Sequence, residues 1–340
     1  MSYEKVNLLS DLVVGHDVVL FATLKEGVIK VDKNGKPFLF GTIEDRSAQV
    51  PIRAWDYSGP VGTKVVPVGS IIKLQGTVSE YRDEVQINID QVRIATDDDL
   101  ASGAYRMEDM APVAPDPYQD AYNDLMALVS TIEDDEYRTL CTHILTKKKK
   151  GFEKCPAAKS VHHAFIGGLA MHSLCIAQMA DAIADQYPLL NRSLLLTGAA
   201  LHDIGKLAEF ERSNSGVVVD YTKLGNLVGH LVMGYDMITT VGRKMKMSEE
   251  KLILLQHLIL SHHGTHDGSC RVPQTPEAYV LADLDNLDAR LEMFRHHFDV
   301  ENVEPGEFVR APFGMEAPRL YRPNLGVAAE EVSNNALVDI

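Results

Sequence analysis

The chain has 340 residues, of which 45% are hydrophobic and 24% charged, so it is long enough for two domains and has the composition of a soluble protein. No apolar stretch reaches the ~20 residues of a membrane span, and the first residues lack a secretory signal pattern, so we expect a cytoplasmic protein without membrane contact. The formal net charge of −15 would repel a polyanion. Residues 1–95 are nearly neutral, however, with 11 Lys and Arg against 12 Asp and Glu.

Five segments rich in β-branched residues occupy the first part of the chain. They are VVLFATLKEGVIKV, KPFLFGTIED, AQVPIRAWDY, SIIKLQGTVSEY and EVQINIDQVRI. Asn34-Gly35 predicts a tight hairpin turn between the first two. Five strands in about 90 residues without a long helix predict a small all-β barrel of the OB type over residues 1–95.

An OB barrel suggests contact with single-stranded nucleic acid, because bases stack on exposed aromatic rings while basic side chains meet the phosphates. Phe38 and Phe40 alternate on one strand and share a face. Filling the barrel core is the simpler role for these two rings, whereas Trp55 and the pair Tyr81-Arg82 lie near strand ends and are stronger candidates. The candidate nucleic-acid-binding residues are Phe38, Phe40, Arg53, Trp55, Lys73, Tyr81 and Arg82.

Residues 96–120 combine an acidic run with Ala-Pro repeats, which predicts a linker between domains. Helical periodicity follows, so we assign an all-α domain to residues 121–310 and a tail to residues 311–340. Lys147–Lys150 close a helix that starts near Glu136. We interpret them as a solvated helix end with Gly151 as its cap, although an RNA contact extended by Lys154 and Lys159 is the alternative.

The pentapeptide His202-Asp203-Ile204-Gly205-Lys206 lies near the end of an apolar helical run. An adjacent His and Asp can hold one cation, and Lys206 falls on the same helical face, where it can hold a phosphate. Further candidate ligands lie in other apolar helical segments, namely His172, His230, His262, His263 and Asp285. Because an uncompensated buried His or Asp costs a few kcal/mol, a shared cation explains the set better than separate core histidines do.

This order of ligands resembles the HD-domain superfamily. The resemblance equates His172, His202, Asp203 and Asp285 with the four-ligand core of that superfamily, and His230, His262 and His263 with the extra ligands of its two-metal members. With NGKPFLFGTIEDRSAQVPIRAWDYS in the barrel and SVHHAFIGGLAMHS, LHDIGKLAEF, GNLVGH, LSHHG and DNLDA after it, the chain is similar to YhaM-type 3′-to-5′ exoribonucleases from about residue 10 to 325.

The resemblance implies a metal-dependent phosphodiesterase with two divalent ions. Mixed imidazole and carboxylate ligation suits manganese first, with Fe, Co, Ni, Zn or Mg as alternatives. Asp203 would bridge the two ions, and a hydroxide between them would attack the terminal phosphodiester while Lys206 offsets charge on the phosphoryl group. His163 would protonate the leaving oxygen or simply pack. The expected products are nucleoside 5′-monophosphates.

Three functions therefore compete. The first is a 3′-to-5′ exonuclease of single-stranded RNA, with single-stranded DNA as a further substrate. The second is an HD-type phosphohydrolase of small nucleotides whose barrel is a regulatory or partner-binding module. The third is a non-enzymatic strand-binding protein in which a metal serves folding alone. Association into a homo-oligomer stays open.

Overall fold

The computed structural model describes residues 3–325, apart from 56, 58–67, 82–83, 112, 116–117, 160–162, 213–215, 217, 266–268, 302 and 313–314. The described residues form a β-barrel followed by a helical domain, so the predicted fold class is confirmed. None of the helices in the described ranges is long and apolar enough to cross a membrane.

The barrel consists of five strands that close on themselves. A two-residue strand, β1 (Glu4–Lys5), runs parallel to β2. The barrel strands are β2 (Asp17–Val31), β3 (Pro37–Glu44), β4 (Gln49–Ala54), β5 (Ile71–Tyr81) and β6 (Glu84–Ile94). Their order is β2-β3-β4-β6-β5, and β5 pairs back onto β2. Only the β4–β6 pair is parallel among these five strands, which is the connectivity of an OB fold.

Side-chain alternation decides which residues fill the barrel. Leu39 is 2% exposed and points inward, so its neighbours Phe38 and Phe40 lie on the outer face, where they are half-buried. The prediction that these two rings fill the barrel core is therefore wrong. The interior is aliphatic instead, with Leu24, Ile43, Ile52, Leu74 and Ile87 fully buried. Gly35 adopts a φ of +80° in the β2–β3 hairpin, as its position in the turn requires.

The segment between the domains packs on the barrel. A short helix, α1 (Asp97–Ala101), begins with a capping box formed by Thr96 and Asp99. The ring of Tyr105 stacks on Phe21 with a centroid separation of 4.9 Å, and the Thr23 hydroxyl donates a hydrogen bond to the Met110 carbonyl. Residues 96–110 of this segment are therefore more ordered than their acidic composition indicates. Its exact bounds stay a prediction.

The helical domain is built from nine helices within the described ranges and two small hairpins. They are α2 (Ala121–Ser130), α3 (Asp135–Phe152), α4 (Gly168–Gln186), α5 (Arg192–Leu201), α6 (Lys206–Glu209), β7 (Phe210–Arg212), β8 (Val218–Tyr221), α7 (Lys223–Val228), α8 (His230–Lys244), α9 (Glu249–Ser261), α10 (Pro276–Val300), β9 (Phe308–Arg310) and β10 (Arg319–Tyr321). Helices α4 and α5 lie at the centre and share one hydrophobic core with α2, α3, α9 and α10.

The structure differs from the predicted end of helix α3, and a hairpin spans the predicted end of the helical domain. Helix α3 continues through Gly151 to Phe152, which is fully buried, so the expectation that Gly151 caps this helix is wrong. Lys147–Lys150 lie on its exposed side. The antiparallel β9–β10 hairpin crosses the predicted boundary at residue 310, and half of the predicted tail, residues 326–340, lies outside the described residues.

Candidate metal centre

The candidate ligands come from five helices. Two helices carry their ligand in the interior, and three carry theirs at or just beyond one end. His172 lies within α4 and Asp285 within α10, whereas His230 is the first residue of α8. His262 and His263 directly follow α9. His202 and Asp203 directly follow α5.

The His202-Asp203 motif lies in a turn. Helix α5 ends at Leu201 and α6 begins at Lys206, so the expectation of one continuous helical face is wrong. The turn packs directly against the start of α8, because a Cβ atom on Gly205 would lie 2.0 Å from the His230 carbonyl oxygen. Glycine at this position is what allows the motif to approach His230.

Four side chains form a first donor group, His172, His202, Asp203 and Asp285. Nε2 of His172 lies 3.1 Å from Oδ1 of Asp285 and 3.2 Å from Nε2 of His202. Oδ2 of Asp203 lies 3.3 Å from Nε2 of His202 and 3.6 Å from Nε2 of His172. Two donors on one cation, at bond lengths of about 2.1 Å, are separated by about 3.0–3.4 Å. The group therefore has the spacing of a metal site.

The other oxygen of Asp203 faces a second donor group, His230, His262 and His263. Oδ1 of Asp203 lies 3.4 Å from Nε2 of His230 and 3.7 Å from Nε2 of His262. Nε2 of His230 and Nε2 of His263 are 3.2 Å apart. Asp203 Oδ1 and His262 Nε2 are both buried and lack a hydrogen-bond partner within the described part of the chain. Unpaired buried donor atoms fit a cation as their missing partner.

Four of the imidazoles are oriented through their outer nitrogen. Nδ1 of His202 contacts the Ala199 carbonyl at 2.9 Å, and Nδ1 of His262 contacts the Ile259 carbonyl at 2.8 Å. A hydrogen bond donated at Nδ1 leaves the lone pair of Nε2 for a metal. The Nδ1 atoms of His172 and His230 contact carboxylates in the same way, at 2.6 Å for Asp288 and 3.0 Å for Glu209.

Electrostatics keeps three of the donors, Asp203, His262 and His263, in their metal-binding forms. Burial alone would raise the pKa of Asp203, but Lys206 and His202 hold it well below its usual value. Burial lowers the pKa of His263 to about 3, helped by His262 and His230. Burial likewise lowers the pKa of His262. A carboxylate and two neutral imidazoles are the ligand forms that a divalent cation requires.

Lys206 lies beside the donor groups. Its Nζ is 2.6 Å from Oδ2 of Asp203, and it lines a cavity of about 360 Å³ together with His230, His262, His263 and Asp285, which we call the donor cavity. Burial alone would lower the pKa of Lys206, but Asp203 raises it above its usual value. A fixed positive charge therefore faces the space next to the donors.

His163 lies outside the donor cavity, on the Nδ1 side of His172. Its ring centroid is 5.1 Å from that of His172, and its Nε2 is 3.5 Å from Oδ2 of Asp288. The side chain is 1% exposed. The structure thus places His163 next to a carboxylate that orients a ligand.

The outer face of the barrel carries an aromatic and basic cluster, which we call the barrel patch. The ring of Phe38 stacks on Trp55 with a centroid separation of 5.0 Å, and Trp55 is 53% exposed. The Arg53 guanidinium lies 5.9 Å from the ring centroid of Phe40 and 5.0 Å from that of Tyr81. The structure thus gathers Phe38, Phe40, Arg53, Trp55 and Tyr81 into neighbouring contacts.

Two of the predicted nucleic-acid contacts fall elsewhere. Lys73 lies over the ring of Phe21, at 5.4 Å from its centroid, on the side of the barrel covered by Tyr105. Arg82 lies outside the described residues.

Sequence reasoning missed the two carboxylates that orient ligands. Asp288 follows Asp285 by three residues on α10, so both side chains face the same side of that helix. Glu209 follows Lys206 by three residues and accepts hydrogen bonds from both N and Nδ1 of His230, each at 3.0 Å. Helical spacing from a candidate ligand was a usable signal for Asp288.

Two family models match the chain. Residues 23–95 match the OB-fold nucleic acid binding domain, and residues 169–290 match the HD domain. The fold and the clustered His and Asp side chains therefore define a two-domain protein with an OB barrel and a metal-dependent phosphohydrolase domain of the HD class.

Curated relatives extend over almost the whole chain. The 3′-5′ exoribonuclease YhaM of Geobacillus sp. (strain WCH70) is 33% identical over 311 residues, covering 91% of this chain and 93% of the relative. The 3′-5′ exoribonuclease YhaM of Bacillus pumilus (strain SAFR-032) is 32% identical over 311 residues, covering 91% of this chain and 96% of the relative. The chain belongs to the YhaM 3′-5′ exoribonuclease family.

Among solved structures, the chain is similar to a domain of replication protein A from Methanococcus maripaludis. It is 15% identical, with a TM-score of 0.23, and the match covers 27% of this chain and 94% of that domain.

Proposed function

We propose that this protein is a metal-dependent 3′-5′ exoribonuclease that shortens single-stranded RNA from its 3′ end and releases nucleoside 5′-monophosphates. The observation that carries the proposal is the position of Asp203, whose two oxygens face different groups of donors at 3.3–3.7 Å. A carboxylate between two donor groups suits a pair of cations about 3.5–4 Å apart, the arrangement of many phosphodiesterases.

The donor chemistry fits two divalent ions. His172, His202, Asp203 and Asp285 would hold one, and His230, His262 and His263 would hold the other with Asp203 shared. Imidazole and carboxylate donors without a thiolate favour Mn²⁺, with Fe, Co, Ni, Zn or Mg as alternatives. Bound ions would supply Lewis-acid activation of water and of the phosphoryl group.

The other residues of the site would neutralise charge on the substrate or hold the ligand side chains in position. Lys206 would offset negative charge on the phosphoryl oxygens, since its ammonium group lines the donor cavity. Asp288 and Glu209 would hold the rings of His172 and His230 in register. Because His163 is buried and contacts Asp288, we assign it a positioning role through that carboxylate instead of protonation of the leaving oxygen.

The barrel patch would hold the strand upstream of the cut. Its exposed Trp55 ring offers a stacking surface to any base, and Arg53 and Lys30 add positive charge beside Phe40. Recognition through stacking and charge tolerates all sequences, as an exonuclease that shortens any RNA requires.

The test is digestion of a 5′-labelled single-stranded RNA by the Mn²⁺-loaded protein. We expect a ladder that shortens by one nucleotide at a time, with nucleoside 5′-monophosphates as products. A single-stranded DNA of the same sequence measures the sugar preference. Free nucleotides hydrolysed while the RNA stays intact would instead establish the small-nucleotide phosphohydrolase. Strand binding without any hydrolysis would establish the non-enzymatic strand-binding protein.

A further inference from the structure

The donor cavity is lined on one side by aromatic residues that have no role in the metal site and do not belong to the barrel patch. Four of its lining residues are alanines, Ala157, Ala158, Ala282 and Ala289, which leave space beside the donors. Tyr221 also lines the cavity and, unlike the alanines, has a large aromatic side chain; it is 37% exposed. Apart from the imidazoles, Tyr221 and Phe210 are the aromatic residues among the described lining residues, and Phe210 is buried.

The ring of Tyr221 packs against Phe210, and its backbone is held by two neighbouring side chains. Tyr221 pairs with Phe210 across the β7–β8 hairpin, and the two rings meet edge to face with centroids 5.5 Å apart. The side-chain amide of Asn226 donates to the Tyr221 carbonyl at 3.2 Å, and the Tyr221 N–H contacts Oδ1 of Asp220 at 2.9 Å. A fixed backbone and the packing on Phe210 restrict the ring, so it loses less conformational entropy when a planar ligand stacks on it.

A positive charge stands beside the same ring. Nζ of Lys159 lies 5.9 Å from the ring centroid of Tyr221 and 3.3 Å from Oδ1 of Asp220. Lys159 is partly exposed, so it can approach a phosphate next to a base on the ring. Ring and ammonium together match the alternation of base and phosphate in a single strand.

We propose that Tyr221 is the stacking platform for the nucleobase of the 3′-terminal nucleotide, and that this contact fixes the last phosphodiester against the donor groups. The inference rests on the proposed exonuclease activity and adds a nucleobase subsite to it. The cavity of about 360 Å³ lies in the size range of small-ligand pockets. Stacking uses the face of a base and not its edge, so the subsite accepts all four bases.

The experiment uses two RNA oligomers that differ at the last position. One ends in an ordinary nucleotide and the other in a ribose without a base. The kcat/KM of the first cut is measured for the wild-type protein and for Tyr221→Ala and Tyr221→Phe. Tyr187→Ala is the matched control, because Tyr187 is an exposed tyrosine that directly follows α4, about 22 Å along that helix from His172.

We expect Tyr221→Ala to lower kcat/KM on the ordinary oligomer about fivefold to 150-fold, the range that alanine substitution gives for base stacking. The wild-type protein should lose a similar factor on the baseless oligomer, where Tyr221→Ala should cause no further loss. Tyr221→Phe and Tyr187→Ala should match the wild type on both oligomers.

Equal losses on both oligomers would overturn the inference, because they would show that Tyr221 only supports the fold of the site. No loss on the ordinary oligomer would overturn it as well. In both of these cases the wild-type protein still cuts RNA, so the proposed function stands. If the wild-type protein cuts neither oligomer, the proposed function fails and the nucleobase subsite fails with it.

Discussion

The carboxylate of Asp288 lies 2.6 Å from Nδ1 of His172, while the opposite nitrogen of that ring faces Asp285 at 3.1 Å. One imidazole thus links a buried carboxylate outside the first donor group to a carboxylate within it. A carboxylate at Nδ1 fixes the orientation of the ring and increases the basicity of Nε2. Asp288 is therefore expected to act on metal binding without contacting the metal.

Replacement of Asp288 tests this positioning role. Asp288→Asn should weaken metal binding about 10- to 100-fold, because the amide cannot supply the negative charge that orients and polarises His172. Titration of Mn²⁺ against a competing chelator measures the affinity. Asp283→Asn is the matched control on the exposed side of α10 and should bind as the wild type does. Equal metal affinity in the two variants would show that Asp288 does not position His172 for metal binding.

The pH dependence of metal binding should follow His172. Burial alone would lower the pKa of this ring, but hydrogen bonds and charges from Asp285 and Asp288 raise it to about 9 in the metal-free protein. Below about pH 9 a cation must displace this proton, so affinity should increase by about tenfold per pH unit up to that value and then level off. His263, with a pKa of about 3, is already neutral in this range and adds no slope.

Calorimetry measures the displaced proton directly. Titrating the chelator-treated protein with Mn²⁺ at pH 7, in two buffers of different ionisation enthalpy, should show release of about one proton from this ring. Asp288→Asn should reduce the release, because it removes one of the two carboxylates that raise the pKa of His172. Binding heats that do not depend on the buffer would contradict the assignment.

Trp55 offers a built-in probe of the barrel patch, since it is the only tryptophan in the chain. Stacking of a base on its exposed ring should quench its fluorescence when a single-stranded oligonucleotide is added. Trp55→Ala should weaken strand binding by about 1–3 kcal/mol while leaving hydrolysis of a dinucleotide unchanged. Strand binding without any change in the emission of Trp55 would place the nucleic-acid surface elsewhere.

Asp203 should separate catalysis from binding. Asp203→Ala removes the carboxylate shared by both donor groups and leaves Lys206 unpaired, so turnover should fall by at least about 1,000-fold. Oligonucleotide affinity, measured by the quenching of Trp55, should stay close to that of the wild type. Asp236→Ala, an exposed position on α8, is the control and should keep full activity. Turnover that survives in Asp203→Ala would show that the ligand assignment is wrong.

The sequence predicts the fold class well because its signals are local. Alternating apolar residues identify the five strands, and apolar helical segments identify the helices that carry His172 and Asp285. Position relative to a helix end was harder to predict, since the turn at His202-Asp203 depends on the close approach of Gly205 to His230. The direction of Phe38 and Phe40 depends on strand register, which inward-pointing Leu39 decides.

The contacts that the sequence did not reveal are long-range. Asp288 and His172 are separated by 116 residues, and Glu209 and His230 by 21. Helical spacing could place Asp288 on the same face as Asp285, but no periodicity within a single helix shows which residue of another helix it contacts. Closeness in sequence can also mislead. Lys73 is near barrel aromatics in sequence, but it contacts Phe21 and lies outside the barrel patch.

The most direct test of the account is the metal content of the protein. Elemental analysis of the full chain, after loading with Mn²⁺ and removal of excess ion, should give about two ions per chain. Asp203→Ala, treated in the same way, should give fewer than one, because the shared carboxylate is lost. A wild-type value of one or less would contradict a pair of cations between the two donor groups.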